Sequence, residues 1–342
     1  MTERRVARQT IKEIAARAGV STAAVSYALN DRPGVSAQTR TRIRAVAEEL
    51  GWQPDSAARA LASAQTDTVG LVLPAGVAGT LGVSPWYMEF ISGIELVLAP
   101  QGRALLLQVA TDQRTELGIY RNWAGSRRVD AAVLVDVELD DPRVRALADG
   151  PFPVVAAGPP AHAGGLASVW TDDAAAMDEA VGYLAALGHC RIGRVGGPER
   201  LAHSQVRADA FALACAERGL ESVTRSTDYS VDQATRATRS LLLGRSRPTA
   251  LIFDDDLSAV AGLRVASELG LRVPDQLSLL AWDDSVLCQV TTPPLSAMSH
   301  DVQEYGVQVT RLLLEVMAGA APTARTGAAP HLEPRGTTAS LA

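Results

Sequence analysis

Five residues near the N-terminus, Thr22, Ala23, Ser26, Tyr27 and Asn30, put hydroxyl, methyl, phenol and amide groups on one outward face of a short helix that Ser21 can cap. Small polar side chains let a helix seat deeply in a major groove, where hydroxyls reach phosphates or base edges and an alanine methyl meets a thymine methyl. Such a face recognises a surface and makes no bonds. Groups for bond-making chemistry are missing. Gly76, Gly79 and Gly82 follow a strand but lack the G-x-G-x-x-G spacing and a convincing ribose-binding acid, and neither a nucleophile elbow nor an H-E-x-x-H pair occurs. Asp254, Asp255 and Asp256 could hold a divalent cation, although charge pairing at a helix N-terminus is the simpler account. Cys190, Cys215 and Cys288 are too scattered for a zinc site or a disulfide framework and read as buried small hydrophobes. The expectation is a binding protein, not an enzyme, with no metal and no cofactor.

The elements that position this face are read from the run TIKEIAARAGVSTAAVSYALN, Thr10 to Asn30. Thr10 and Glu13 stand in capping-box relation, Gly19 supplies a left-handed stop, and Val20 and Val25 form a hydrophobic staple across Ser21. Val25 and Leu29 face inward. This is a helix-turn-helix, with a plain αα-hairpin as the alternative. After the turn at Arg32-Pro33-Gly34, Ser36 caps a third helix to about Leu50, whose Arg40, Arg42 and Arg44 contact phosphates or are simply solvated. Residues 51 to 63 predict a short alanine-rich helix that is marginal alone. It is either a linker or one of a dimer-related pair packed through Ala57, Ala58 and Ala60, with Leu61 wedged between base steps of the minor groove.

A chain of 342 residues predicts two or three domains, with 47% hydrophobic and 20% charged residues, as in a soluble globular protein. No apolar run is long enough to cross a bilayer, and MTERRVARQT has arginines without the apolar segment of a secretion signal, so a cytoplasmic, nucleoid-associated protein is expected. Net charge is −6, but it is segregated: residues 1 to 65 carry +4 and the remainder −10. A basic head supplies counterion-release attraction to phosphate, while an acidic body opposes indiscriminate binding along DNA.

From Val69 onward, buried strands alternate with helices: VGLVLP, a helix near 86 to 99, ALLLQVA, a helix near 113 to 125, AAVLVD and PVVAAG. A second series begins at Ala174 and includes RIGRVGG, a helix from Ala208 to Arg218, a helix near 232 to 243, TALIFDD, a helix from Leu257 to Leu269, and SLLAWDD. Two similar parallel-sheet α/β halves are predicted, with a ligand cleft between them beyond the carboxyl ends of the strands.

With these segments in view, the chain resembles the lactose-repressor (LacI/GalR type) family of bacterial transcription factors from about Thr10 to Ala339. The matching stretches are TIKEIAARAGVSTAAVSYALN, VSAQTRTRI, WQPDSAARAL, YLAALGHCRIG, SELGLRVPDQLSLLAWDD, TTPPLSAM and EPRGTTA. The resemblance implies a helix-turn-helix headpiece over residues 1–53, a hinge over 54–66, and an effector and dimerisation module over 67–342 with the type I fold of periplasmic sugar-binding proteins. It implies a homodimer on a near-palindromic DNA operator. No heptad repeat follows Ala339, so a dimer is expected over a tetramer.

Carried over by position, the groove-reading pair falls on Thr22 and Ala23, further DNA contacts on Thr10, Ile11, Ser21, Ser26, Tyr27, Asn30, Ser36 and Thr39, and hinge contacts on Ala58 and Leu61. Tyr27 departs from the arginine or histidine of many members, so their operators do not transfer. Effector contacts fall on Trp86, Tyr87, Asp136, Trp170, Arg207, Asp255, Asp283 and His300. Arg207 is expected between the carboxylates of Asp255 and Asp283, a pattern that fixes vicinal hydroxyls of a sugar or polyol, with an indole stacking on a pyranose face. A nucleobase or other metabolite is the alternative effector. A binding or transport protein without a DNA function explains the two halves but leaves the basic head unaccounted for.

Overall fold

Residues 10–52 form three helices around seven small buried side chains. α1 (Ile11–Ala18) buries Ile14, Ala15 and Ala18, α2 (Thr22–Leu29) buries Val25 and Ala28, and α3 (Ala37–Glu49) buries Ile43 and Ala47. α1 begins on the Thr10–Glu13 box, where the Thr10 amide donates to Glu13 Oε2 at 2.6 Å, and ends at Gly19 with φ +65°. Only glycine takes that conformation without strain. Ser21 Oγ accepts from the Ala24 amide at 3.1 Å and Ser36 Oγ from the Thr39 amide at 3.2 Å, so both later helices start on serine caps. The inward partner of Val25 is Ala28, whereas the expected Leu29 sits half-buried at the rim. Both i+3 and i+4 share a helix face, and here the small side chain takes the centre.

Two sheets make up the rest. The computed structural model describes residues 10–29, 31–52, 65–74 and 85–341, and the chain divides into a unit of Met1–Thr66 and a unit of Asp67–Ala342. Asn30, the expected hinge helix with Ala57, Ala58, Ala60 and Leu61, and the Gly76–Gly79–Gly82 run lie outside the described residues. In the second unit, the first lobe contains β1 (Thr68–Leu73), α4 (Pro85–Leu98), β2 (Ala104–Val109), α5 (Gln113–Ser126), β3 (Ala131–Leu134), α6 (Pro142–Ala148), β4 (Val154–Ala157) and β5 (Ala167–Trp170). The second lobe contains α7 (Asp173–Ala186), β6 (Arg191–Gly196), α8 (Ala202–Glu217), β7 (Glu221–Ser226), α9 (Val231–Leu242), β8 (Ala250–Phe253), α10 (Asp256–Glu268), β9 (Ser278–Trp282), α11 (Val286–Val290) and β10 (Ser296–Ser299). The chain then returns through α12 (Val302–Met317) and β11 (Ala324–Thr326) before ending on β12 (His331–Glu333).

Among the described residues the sheet orders are β11-β5-β4-β3-β1-β2 and β12-β10-β9-β8-β6-β7, parallel throughout except β12 against β10. The central strands are buried over nearly all their length, as expected where helices cover both faces. The chain passes between lobes near 170–173, 299–302 and 326–331. The two expected halves are present, and the last two passages return the chain to the first of them and back. α12 belongs to the first lobe because Val302, Val309, Leu312 and Leu313 join Phe90, Ile94 and Leu98 of α4 in that lobe's core. The two helix backbones touch: a Cβ on Gly93 would lie 2.0 Å from the Gln303 carbonyl oxygen, and one on Gly306 2.3 Å from that of Phe90.

α8 begins six residues before the expected Ala208. Its N-cap is Leu201, which supplies no side-chain bond, so the usual start signal is absent. Cys215 and Cys288 are buried as expected, but Cys190 is exposed at the turn before β6. No described helix is long and apolar enough to cross a membrane.

Candidate functional site

On the three-helix unit, Thr10, Ile11, Ser21, Thr22, Ala23, Tyr27 and Ser36 are exposed, and Ser26 and Thr39 half-buried. The Tyr27 ring leans toward the following turn, 3.4 Å from where a Cβ on Gly34 would stand. Arg40 is not a free solvent-facing cation. Its guanidinium donates to the carbonyls of Ala28 at 3.1 Å and Arg32 at 2.8 Å and to Asp31 Oδ1 at 3.0 Å, closing the C-terminus of α2. Arg44 also binds Asp31, at 2.7 Å. Arg42 stays exposed on α3 and is the arginine of the three that can reach a phosphate without giving up a contact seen here.

In the second unit, a cavity of about 420 Å³ opens where the strands of both sheets end. All eight expected effector residues, Trp86, Tyr87, Asp136, Trp170, Arg207, Asp255, Asp283 and His300, line it. Trp86 and Tyr87 come from the first turn of α4. Trp86 stacks on Phe90 with centroids 5.1 Å apart and meets the edge of Tyr87 at 5.1 Å. The Tyr87 hydroxyl donates to Asp136, and burial beside that carboxylate raises the phenol's pKa well above its usual value. Asp136 takes φ +50° at the end of β3, and its carbonyl accepts from Arg143 Nη2 at 2.6 Å. Arg143 is buried behind it and held by Glu116 and Asp141, each at 2.7 Å.

Arg207 departs from the expected arrangement. Its Nε donates to Asp173 at 2.7 Å, its Nη1 to the Asp254 carbonyl at 3.1 Å, and its guanidinium lies 4.3 Å from the centre of the Trp282 ring. The cation therefore pairs with a third carboxylate, at the start of α7, instead of bridging Asp255 and Asp283. Arg207 holds the Asp173 carboxyl below its usual range despite burial.

The three consecutive aspartates divide their work. Asp254 binds Arg194, and Asp256 accepts from Ser285. Asp255 caps α10, its two oxygens accepting from the Ser258 amide and hydroxyl at 2.6 Å each. Burial pushes the Asp255 carboxyl up to about 7. Asp283, at φ +66°, is raised well above the carboxylate range by burial, which Arg207 only partly opposes. Its Oδ1 lies 3.6 Å from His300 Nδ1, too far for a hydrogen bond, and both atoms are buried without a partner. Burial takes His300 down to about 4, so it is neutral near pH 7.

Asp173, His203, Tyr229 and Tyr305 also line the cavity and were not expected. His203 Nε2 lies 3.1 Å from the Tyr229 hydroxyl with the rings stacked, and Tyr229 takes φ +64°. Thr171-Asp172-Asp173, a capping run directly after a strand, was a readable signal for Asp173. His203 sits in the turn of α8 that the sequence hid, and Tyr229 in a loop without a pattern. At the cavity's rim, the Leu139 amide donates to the Arg200 carbonyl at 2.8 Å and the Ala202 amide to the Val137 carbonyl at 2.9 Å, with Arg200 paired to Glu138 at 2.9 Å. These bonds tie the lobes together apart from the three chain passages.

The arrangement can surround a small ligand with aromatic faces and hydrogen-bond acceptors. Comparison with known proteins gives matching pictures for both units. Residues 10–55 match the model of bacterial regulatory proteins of the lacI family, and residues 181–338 match the periplasmic binding protein-like domain. The chain is 30% identical over 315 residues to the HTH-type transcriptional repressor CytR of Escherichia coli (strain K12), covering 91% of this chain and 90% of that one. Among solved structures, a complex of the transcriptional regulator CelR with cellobiose is similar with a TM-score of 0.74 and 26% identity, covering 96% of this chain and all of that one. A lac repressor dimer bound to operator and the anti-inducer ONPF shares the fold, with a TM-score of 0.85 at 23% identity over 98% of this chain and 99% of that one.

Proposed function

Since the chain belongs to the LacI family of bacterial transcriptional regulators, we propose that it is a repressor whose operator binding is controlled by a sugar or polyol held in the cavity of its α/β unit. The observation that carries the effector reading is the convergence on one cavity of Trp86 and Trp170 with Arg207, Asp255 and Asp283. Indole faces suit the apolar face of a pyranose, and planar charged groups suit its hydroxyls. The likeness to the CelR–cellobiose complex supports a saccharide. On the DNA side, Thr22, Ala23 and Tyr27 would read base edges, with Ser21, Ser26 and Arg42 at phosphates. Operation as a homodimer on a near-palindromic site is supported by exposed apolar side chains on α4 (Met88, Leu96) and on the edge strand β2 (Leu107, Val109).

The test is selection of bound sites from random duplexes with the full chain, followed by titration of the selected operator complex with cellobiose and other neutral sugars. A palindromic consensus that one sugar releases or tightens is the expected result. Bound sequences without a consensus would end the operator reading, and a complex indifferent to every sugar would end the saccharide reading.

A further inference from the structure

The charges around the cavity are lopsided. Asp136, Glu138, Asp172, Asp173, Asp228, Asp254, Asp255, Asp256 and Asp283 line it, against the two arginines Arg200 and Arg207. Both arginines are already engaged, Arg200 with Glu138 at 2.9 Å and Arg207 with Asp173 at 2.7 Å. Asp254 has its own cation in Arg194, which leaves Asp136, Asp172, Asp228, Asp255, Asp256 and Asp283 without an arginine or lysine partner among the described residues. Their side-chain donors are neutral where they exist at all: Tyr87 for Asp136, Gln233 for Asp228, Ser258 for Asp255 and Ser285 for Asp256. Asp283 receives no side-chain donor among the described residues, and His300 beside it is uncharged near pH 7.

Helix N-termini are the other common anion holders, and two of those at the cavity are taken. α7 begins on Asp172 and α10 on Asp255, each accepting from the amide three residues ahead, at 3.0 Å and 2.6 Å, so a carboxylate already occupies the place an anion would take. The start of α8 has no side-chain cap, and His203 in its first turn has Arg207 as well as Asp136, Asp173 and Asp254 as charged neighbours, so acidic groups outnumber the one cation there, which Asp173 already holds. Among the described residues, no arginine or lysine of this lining is free to take the charge of a phosphate or carboxylate group.

We propose that the cavity accepts neutral, hydroxyl-bearing ligands and excludes their phosphorylated and carboxylated counterparts. The inference rests on reading the cavity as the effector site and goes beyond it by fixing the charge of the effector. Hydroxyls donate to the carboxylates that lack cations, whereas a phosphate oxygen near neutral pH brings only acceptors and negative charge to a wall of acceptors. The regulator would then respond to free sugar, before any kinase-type step that traps it as a phosphate ester.

Matched pairs test this in the full chain by thermal shift and calorimetry: glucose with glucose 6-phosphate, ribose with ribose 5-phosphate, cellobiose with cellobionate, and uridine with uridine 5′-phosphate. In the pair that binds, the neutral member should bind at least about a hundredfold more tightly. In the full-length Asp136→Asn and Asp228→Asn variants, that ratio should narrow about tenfold or more as a negative charge is removed. A phosphorylated or carboxylated member that binds as well as its neutral partner overturns the proposal, as does a ratio unmoved in both variants or a panel without a neutral binder. Binding by uridine alone would overturn the saccharide reading while leaving charge exclusion to be judged from uridine against its phosphate.

Discussion

The two units carry their recognition groups in opposite ways. The headpiece wears them outside a core of seven small side chains, with Thr22, Ala23 and Tyr27 in solvent and no part in that core. The α/β unit keeps them inside, where Arg207, Asp255, Asp283 and His300 are each half or fully buried, with Arg207 in an ion pair with Asp173 and Asp255 at a helix start. An exposed recognition surface can change its specificity with little effect on folding. A buried one couples specificity to stability, because each charge has to be compensated whether or not a ligand is present.

Arg207→Ala should give the largest effect. Removing the guanidinium strands the buried Asp173 carboxylate, which is expected to lower stability by about 3–5 kcal/mol and abolish the effector response. Adding Asp173→Asn should restore most of the melting temperature without restoring the response. If Arg207→Ala melted like the parent, the coupling claimed for the buried unit would be lost.

Next in size is the pH dependence of Asp255. Its folded carboxyl lies near 7 against an ordinary 3.8, so the folded chain holds this proton more tightly than the unfolded chain. The group's contribution is most favourable below about pH 4, declines as pH rises to about 7, and is level above that, a swing of about 4 kcal/mol at most. Asp255→Asn keeps a competent helix cap and should flatten this part of the profile, gaining on the parent at pH 8 relative to pH 5. Parallel urea-denaturation curves for the two proteins across that range would show that Asp255 titrates ordinarily.

Trp86→Ala separates recognition from folding within the cavity. A half-buried platform at the start of α4 should cost about tenfold or more in affinity for a neutral sugar, with a smaller loss of stability than Arg207→Ala. Calorimetry beside a melting curve measures both; affinity equal to the parent's would remove the stacking role. The smallest stability effects belong to the headpiece. Arg42→Ala and Tyr27→Ala should each stay within about 0.5 kcal/mol of the parent. Arg42→Ala should weaken all DNA sequences alike and make the salt dependence shallower by about one unit, while Tyr27→Ala should change which bases are selected. A large drop in melting temperature for either would break the contrast between the units.

The sequence made some of this legible and hid the rest for physical reasons. Helix starts with a cap, such as Thr10, Ser36 and Asp255, were readable because a local hydrogen bond defines them. The start of α8 was not, since Leu201 offers none, and His203 was hidden with it. Strand positions followed from apolar runs, but the return of α12 and β11 to the first lobe depends on contacts far apart in the chain. Position alone brought eight residues to one cavity, yet the partner of Arg207 was misread. Which carboxylate a guanidinium chooses is decided by tertiary distance, and Asp173 is 34 residues away from it.

The glycine joint between α4 and α12 bears on how a bound molecule could be felt elsewhere. α12 follows directly from the passage carrying His300, and α4 starts at Trp86 and Tyr87, so both helices have one end at the cavity. Where they cross at Gly93 and Gly306 the backbones meet with no side chain between them, so at that point there is no rotamer to rearrange. A shift of the 299–302 passage would be passed through this contact to α4, which carries the exposed Met88 and Leu96 on its outer surface.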